Sequence, residues 1–184
     1  MNNIDLTSRT VKNFEIERKF LLKDIPKYVL DNAISCDIRQ DYILVGSFDN
    51  NHISSCRVRK ICVDDVILYT HTIKNPIGSN LALSENETVL SLEEYEEYLK
   101  QSLSFISKTR YTIFLEDNKY EFDKFHDLDI IIVEVEKISS DWESAIQLEK
   151  EIMNIKLPKI IEEVLIEEVT GNDAYSNKKL SIKY

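Results

Sequence analysis

The stretch that decides the fold is residues 14–22, Phe-Glu-Ile-Glu-Arg-Lys-Phe-Leu-Leu. In an extended strand, successive side chains point to opposite faces. Glu15, Glu17 and Lys19 then share one face, while most of the apolar side chains occupy the other. A half-buried strand usually turns such a polar face to water. Whether this face is solvated or internal depends on whether other strands repeat the pattern.

Other strands do repeat it, and they supply complementary charges. Arg57 and Arg59 share one face of a predicted strand, and Glu85 and Glu87 share a face of another. Short turns join most of these strands, without the strand–helix–strand alternation that indicates parallel pairing. The alternation predicts about eight strands, over residues 14–22, 36–45, 55–62, 66–74, 84–90, 105–115, 119–125 and 130–138.

Two amphipathic helices with capping boxes are predicted beside these strands. Ser91 is followed three residues later by Glu94, and Ser140 is followed by Glu143. This spacing lets the two side chains satisfy free backbone N–H groups at a helix start. The predicted helical segments are residues 92–103 and 141–154, with a short helix or turn over residues 27–34.

An antiparallel sheet of about eight strands commonly closes into a barrel, because closure removes its exposed edges. If the amphipathic helices cover the apolar face of the sheet, the charged faces point inward. Buried charges are costly unless they pair or hold ions. We therefore predict an α+β fold, a closed eight-stranded antiparallel barrel with helices packed outside, and a charged guest in its lumen.

Composition limits the partners. The 184 residues, 43% of them hydrophobic, fit a single domain over residues 13–184, preceded by a flexible leader over residues 1–12. The net charge of −10 argues against nucleic-acid binding, which needs an excess of basic residues. Three cysteines without a CxxC pair favour free thiols and a cytoplasmic protein. No apolar run approaches the ~20 residues that span a membrane, so no membrane partner is expected. Both a monomer and a homodimer remain open.

Together, these motifs resemble the CYTH superfamily, also called triphosphate tunnel metalloenzymes, and in particular its bacterial-type tripolyphosphatase-like members. The resemblance starts at the Glu-x-Glu-x-Lys of residues 15–19 and covers about residues 13–180. It implies an eight-stranded tunnel that binds a triphosphate with basic residues and a divalent metal with acids. The matching segments continue in family order as Arg57-x-Arg59, Thr72-Ile-Lys74, Glu85-x-Glu87, Lys108-Thr-Arg110, Phe122-Asp123, Glu134-Val-Glu136 and Glu168-Val-Thr-Gly.

The resemblance also implies roles for individual residues. Lys19 and Glu17 would be catalytic, with Lys19 neutralising or protonating an oxygen near the scissile phosphate. Guanidinium groups suit phosphate oxygens, and carboxylate oxygens suit hard cations such as Mg²⁺ or Mn²⁺. The implied substrate-binding residues are Lys19, Arg57, Arg59, Lys74, Lys108 and Arg110. The implied metal ligands are Glu15, Glu17, Glu85, Glu87, Asp123, Glu134 and Glu136.

The chain departs from the family pattern at three places. Asp41 stands where a glycine is usual, Leu83 stands where an arginine often precedes the acids of the fifth strand, and residues 125–129 replace a longer loop. We expect metal-dependent hydrolysis of a small triphosphate, with inorganic tripolyphosphate as the first candidate and ATP or thiamine triphosphate as others. The alternatives are a class IV-like adenylate cyclase, a thiamine triphosphatase, and a non-catalytic polyphosphate- or nucleotide-binding module.

Overall fold

The computed structural model describes residues 10–43, 55–77 and 79–184. Its strands are β1 Thr10–Leu22, β2 Ile34–Ile43, β3 Ser55–Val63, β4 Val66–Ile77, β5 Ser79–Leu90, β6 Ser102–Leu115, β7 Asn118–Phe125, β8 Ile131–Ser139, β9 Leu165–Glu168 and β10 Ile182–Lys183. Its helices are α1 Lys27–Asn32, α2 Leu92–Leu99, α3 Trp142–Met153, α4 Lys159–Glu162 and α5 Asn177–Leu180, with a 3₁₀ turn at Asp173–Tyr175. None of the helices in this part of the chain is long and apolar enough to cross a bilayer.

Eight of the strands close into an antiparallel barrel. Their order around the ring is β6, β2, β3, β4, β5, β1, β8 and β7, and β7 pairs back to β6. Closure gives each barrel strand a neighbour on both sides, which removes the open edges of a flat sheet. The short strands β9 and β10 extend the ring at β1 and β6. The predicted α+β architecture, a closed barrel with helices outside, is confirmed.

The helices cover the apolar outer wall of the barrel. Ile16 and Phe20 of β1 are buried in one cluster with Ala145 and Ile152 of α3. Tyr95 of α2 packs over another part of the wall, in a cluster that includes residues of β3 and β4. Because alternate residues of a strand face opposite ways, burying Ile16 and Phe20 outside turns the odd-numbered residues of β1 into the lumen.

Strand ends differ from the prediction at several places. β1 begins at Thr10, so residues 10–12 of the predicted leader belong to the barrel and pair with β5. The pattern did not show this, because Val11 is the only apolar residue there. The remaining leader, residues 1–9, and the end of the predicted second strand, residues 44–45, lie outside the described residues.

The helix ends differ as well. The predicted helix over residues 92–103 ends at Leu99, because Ser102 already pairs with β2 as the first residue of β6. Its capping box at Ser91 is confirmed. Helix α3 is capped by Asp141 and not by Ser140, since the Asp141 carboxylate accepts a 2.8 Å hydrogen bond from the Ser144 N–H.

Asp41, one of the departures from the family pattern, anchors the end of the chain to the outer wall. Its carboxylate is fully buried and accepts hydrogen bonds from Arg39 Nε at 2.9 Å, Tyr184 Oη at 2.7 Å and Ser102 Oγ at 3.1 Å. Tyr184 directly follows β10. The aspartate therefore serves the packing of β10 on β6, away from the lumen.

We expect Asp41→Asn to lower the free energy of unfolding by about 1–3 kcal/mol, because a buried carboxylate that accepts four hydrogen bonds loses its charge. Urea unfolding measures the change. Asp37→Asn, at an exposed position of the same strand, is the control and should change stability little. A wild-type unfolding free energy for Asp41→Asn would contradict the anchoring role.

Candidate active site in the barrel lumen

The barrel encloses a cavity of about 630 Å³. This volume is typical of sites for small organic ligands. The inward positions of β1, β3, β4, β5, β6 and β8 bring most of the predicted site residues to its wall. Eleven of the thirteen predicted side chains line it: Glu15, Glu17, Lys19, Arg57, Arg59, Lys74, Glu85, Glu87, Arg110, Glu134 and Glu136.

The other two predicted residues, Lys108 and Asp123, face inward but are buried at one end of the barrel and do not line the cavity. Their side chains are 0% and 1% exposed and form an ion pair with each other. Both oxygens of Asp123 also accept hydrogen bonds from the Arg110 guanidinium, each at 2.7 Å. Asp123 therefore orients Arg110, and the structure does not bring it to the cavity as a free metal ligand. Burial and the neighbouring Arg110 charge lower the pKa of Lys108 to about 8.

An apolar cluster explains why these two side chains are covered. Ile106, Phe125 and Ile132 continue the inward positions of β6, β7 and β8, and all three are buried. Tyr175 and Leu180, from the segment after β9, pack against them. This cluster closes the barrel at the end next to Lys108 and Asp123.

Lys19 lies between two carboxylates on the cavity wall. Its Nζ is 2.8 Å from Glu134 Oε1 and 3.0 Å from Glu17 Oε1. Burial opposes its charge, but these two carboxylates outweigh burial and raise its pKa above the usual value. Burial likewise opposes the charge of Glu134, yet Lys19 and Arg110 hold the Glu134 pKa well below its usual value. Lys19 is therefore a charged ammonium at neutral pH.

A second group of ion pairs lies on β3, β4, β5 and β1. Lys74 pairs with Glu15 and lies 3.4 Å from Glu85. Arg57 Nη2 is 3.3 Å from Glu85 Oε1, and Arg59 Nε donates to Gln40 Oε1 at 2.8 Å. Side chains of the barrel wall thus hold Lys74, Arg57 and Arg59 in place.

Arg57 keeps one donor without a partner. Its Nε is buried and has no hydrogen-bond acceptor among the residues that the structure describes. A buried donor left unpaired costs about 1–3 kcal/mol, so it favours a bound acceptor. The side chain lines the cavity, where an anionic oxygen would satisfy it.

Several lining residues were not assigned from the sequence. Glu121 contacts Arg110 and lies 2.9 Å from Lys119. The alternation of β7 already placed Glu121 on the face of Asp123, so the pattern contained this information. The segment after β9, residues 169–184, is called the tail. It contributes side chains that no periodic pattern indicated: Asn172, Asp173, Ser176, Asn177 and Lys178.

The lining carries more acids than bases. Among the described residues, eight acidic and six basic side chains line the cavity. A triphosphate brings several further negative charges, so its binding in this cavity calls for added cations. The basic side chains are Lys19, Arg57, Arg59, Lys74, Arg110 and Lys178. The acidic ones are Glu15, Glu17, Glu85, Glu87, Glu121, Glu134, Glu136 and Asp173.

The acidic side chains of the cavity crowd together where β1 pairs with β8. Glu17 lies directly opposite Glu136 in that ladder. Burial, and next the carboxylates of Glu121 and Glu15, outweigh the ion pair with Lys119 and raise the pKa of Glu136 to about 7. Burial also raises the pKa of Glu17, against the opposing charge of Lys19. Crowded carboxylates of this kind fit Mg²⁺ or Mn²⁺ in donor type, although in the described ranges no three acidic, histidine or cysteine side chains are already arranged around an ion site.

The Glu136 carboxyl should make stability fall with rising pH in metal-free protein. In the native state it keeps its proton up to about pH 7, whereas in the unfolded chain it ionises near its usual pKa of 4.5. The folded state therefore binds more protons between these values, and the free energy of unfolding declines across that window by about 1–3 kcal/mol. We expect Glu136→Gln to remove this decline in urea unfolding with EDTA, at pH 5 against pH 7.5.

Glu143→Gln, at an exposed position of α3, is the control and should keep the wild-type decline. Parallel pH dependences of wild type and Glu136→Gln would contradict the crowding of carboxylates at β1 and β8.

Solved structures of other proteins share this barrel. No model of a known protein family matches the sequence, and no curated protein matches it. The hypothetical protein NE1496 is 27% identical with a TM-score of 0.52, over 91% of this chain and 97% of that one. PH1819 from Pyrococcus horikoshii OT3 is 16% identical with a TM-score of 0.60, over 90% and 97%. HpAC1 from Hippeastrum, described as having a dominant triphosphatase activity, is 12% identical with a TM-score of 0.45, over 77% of this chain and 86% of that one. This likeness is too distant to bear on the activity of this chain. The first two likenesses show that nearly the whole chain adopts a fold found in other proteins.

Proposed function

We propose that the protein is a metal-dependent triphosphatase of the CYTH type, with inorganic tripolyphosphate as its first candidate substrate. The observation that carries this proposal is a single barrel lumen that gathers both a set of cations and a surplus of carboxylates. A site that only binds a polyanion needs the cations and not the surplus of acids. The two sets together suit a polyphosphate that enters with a divalent metal.

The basic side chains would hold the phosphate oxygens. Arg57 and Arg59 project from neighbouring positions of β3, and Lys74 lies on the adjacent strand β4. Arg110 approaches from the other wall on β6, fixed by Asp123. Guanidinium groups can donate two parallel hydrogen bonds to phosphate, and Lys74 would supply a compact charge. The free Nε of Arg57 supports this placement.

The chemical step would be in-line attack of water on a terminal phosphorus. The new bond joins the water oxygen to phosphorus, and the bond to the bridging oxygen breaks. Glu17, with its raised pKa, is suited to take the proton from the attacking water. Lys19 Nζ is 3.0 Å from Glu17 and so lies on the same side of the phosphorus, where it would neutralise charge on the oxygens of the transferred phosphoryl group. The products are orthophosphate and pyrophosphate.

The carboxylates nearest to this step would hold the metal. Glu15 on β1 and Glu134 and Glu136 on β8 surround Glu17, which would act as the base and not as a ligand, and Glu85 and Glu87 lie on β5, at the other side of β1. When bound, Mg²⁺ or Mn²⁺ would neutralise phosphate charge and lower the pKa of a bound water. Asp123 is the least suited of the predicted ligands, because Arg110 occupies both of its oxygens.

Apolar side chains in the same lining favour a second candidate, an organic triphosphate such as ATP or thiamine triphosphate. Val11, Leu83 and Ile138 line the cavity together with the charged residues. Leu83 and Ile138 are the direct neighbours of Glu15 on β5 and β8. This apolar surface would contact the organic part of such a substrate, whereas tripolyphosphate has no apolar part to contact it.

A substrate panel with product identification tests the proposal. Purified protein is incubated with tripolyphosphate, ATP and thiamine triphosphate, with Mg²⁺, with Mn²⁺ or with EDTA. Orthophosphate release that requires the metal is the expected result. Cyclic AMP with pyrophosphate from ATP would instead indicate the adenylate cyclase. Tight binding of triphosphate without turnover would indicate a binding module, and neither binding nor turnover would overturn the proposal.

A further inference from the structure

Strand β1 loses a hydrogen-bonded neighbour on one side just before Lys19, the predicted catalytic residue. Its pairing with β5 ends at Ile16, and on that side the short strand β9 starts to pair only at Phe20. Lys19 lies in between, where a strand edge has backbone groups to satisfy. Its side chain needs a fixed origin if it is to serve one phosphate oxygen, since displacements of about 1 Å can cost 10²-fold in rate.

Val169 and Thr170, the two residues that directly follow β9, fill this gap. The Val169 N–H donates to the Lys19 carbonyl at 2.9 Å, as a ladder bond would. The Lys19 N–H has no backbone carbonyl there and donates instead to the Thr170 hydroxyl at 3.0 Å. A threonine side chain therefore takes the place of a missing strand carbonyl at this position of the barrel.

Thr170 is itself held in place by a buried arginine. Its hydroxyl lies 2.7 Å from Glu168 Oε1, to which it donates. Glu168 accepts two 2.9 Å hydrogen bonds from Arg18 Nε and Nη2. The remaining nitrogen of Arg18 donates to the carbonyls of Ile152 and Ile155, at the end of α3, at 3.1 and 2.9 Å. The outer helix, β9 and the Lys19 backbone thus form one connected network.

We propose that Thr170, held by Glu168 and Arg18, is a positioning residue that fixes the backbone of Lys19 for the reaction. This inference rests on the proposed function for its kinetic consequence, but the network itself does not. The part of the tail that starts at Gly171 lines the cavity, so the same anchor also sets where the tail enters the site.

Thr170→Val keeps the shape of the side chain and removes the hydroxyl. We expect it to lower kcat for triphosphate hydrolysis about tenfold, with KM changed less than twofold, because a single hydrogen bond is worth up to about that factor. Thr170→Ser, which keeps the hydroxyl, should restore kcat. Asp41→Asn is the matched control, because it weakens another arginine–carboxylate pair on the wall without touching a lumen residue.

Amide hydrogen exchange of Lys19, followed by NMR, tests the network without using activity. Thr170→Val should speed exchange of the Lys19 amide at least about tenfold more than Asp41→Asn does, because Asp41→Asn acts on this amide only through its loss of global stability. Unchanged exchange in Thr170→Val would overturn the inference, and so would kinetics that match those of Asp41→Asn. If wild-type protein releases no phosphate but the exchange result holds, the proposed function fails while the anchoring of Lys19 stands.

Discussion

Replacing Lys19 by methionine should lower kcat for phosphate release about 10²–10³-fold, the size of effect seen when one preorganised electrostatic group is removed. Lys19 is the only described cation that contacts Glu17, and it also contacts Glu134. Methionine keeps much of the apolar stem but leaves the charge on the transferred phosphoryl oxygens without a counter-charge. Phosphate release at saturating substrate and metal measures the effect.

Lys19→Met also leaves Glu17 and Glu134 without their counter-charge, so we expect some loss of stability, and kcat is compared only for protein that is folded by circular dichroism. Lys12→Met is the matched control, since Lys12 is an exposed residue of the same strand. It should retain wild-type kcat. Full activity in Lys19→Met, with a native circular dichroism spectrum, would refute the catalytic role of Lys19.

Replacing Arg110 by methionine should lower the free energy of unfolding by about 3–5 kcal/mol, as expected when one partner of a buried charge network is removed. Arg110 contacts three carboxylates inside the barrel, those of Asp123, Glu121 and Glu134. Without the guanidinium, these side chains either stay charged in a desolvated site or take up protons. Urea unfolding at pH 7 measures the loss.

Two further variants show whether unpaired charge causes this loss. Arg110→Met combined with Asp123→Asn should recover part of the stability, because one of the orphaned carboxylates is then neutral. Lys27→Met breaks the exposed pair with Asp31 and should cost about 0–1 kcal/mol. A loss for Arg110→Met as small as that for Lys27→Met would mean that the network contributes nothing to stability.

Alternation along the strands was sufficient to predict the barrel and most of its lumen. Glu15, Glu17 and Lys19 on β1 meet Glu134 and Glu136 on β8 as the period-two pattern required. The prediction worked because every inward position in a closed barrel faces the same small space. The roles of these residues in catalysis and metal binding stay predictions.

Alternation could not predict how deep a side chain lies along the barrel axis. Lys108 and Asp123 face inward as expected, but Arg110 and the apolar cluster around Phe125 cover them. That cluster includes Tyr175 and Leu180 from the tail, whose position depends on long-range packing. No local pattern in the sequence fixes such contacts.

The sequence did not indicate the contacts that hold the Lys19 backbone, for a similar reason. Glu168 and Thr170 were quoted from the sequence only as part of a motif, because nothing local shows that a tail segment pairs with β1. The period of two puts Arg18 on the face opposite Glu17 and Lys19, but it gives no partner for the Arg18 charge. Its contacts with the end of α3 become visible only when elements more than a hundred residues apart are in contact.

The central claim is that the charged lumen binds a triphosphate. Calorimetric titration with tripolyphosphate and Mg²⁺, compared with the same titration in EDTA, tests it most directly. We expect one site per chain with metal present, much weaker binding in EDTA, and loss of binding in a variant that carries both Arg57→Met and Lys74→Met. No binding by wild type with metal, or undiminished binding by the double variant, would contradict the account.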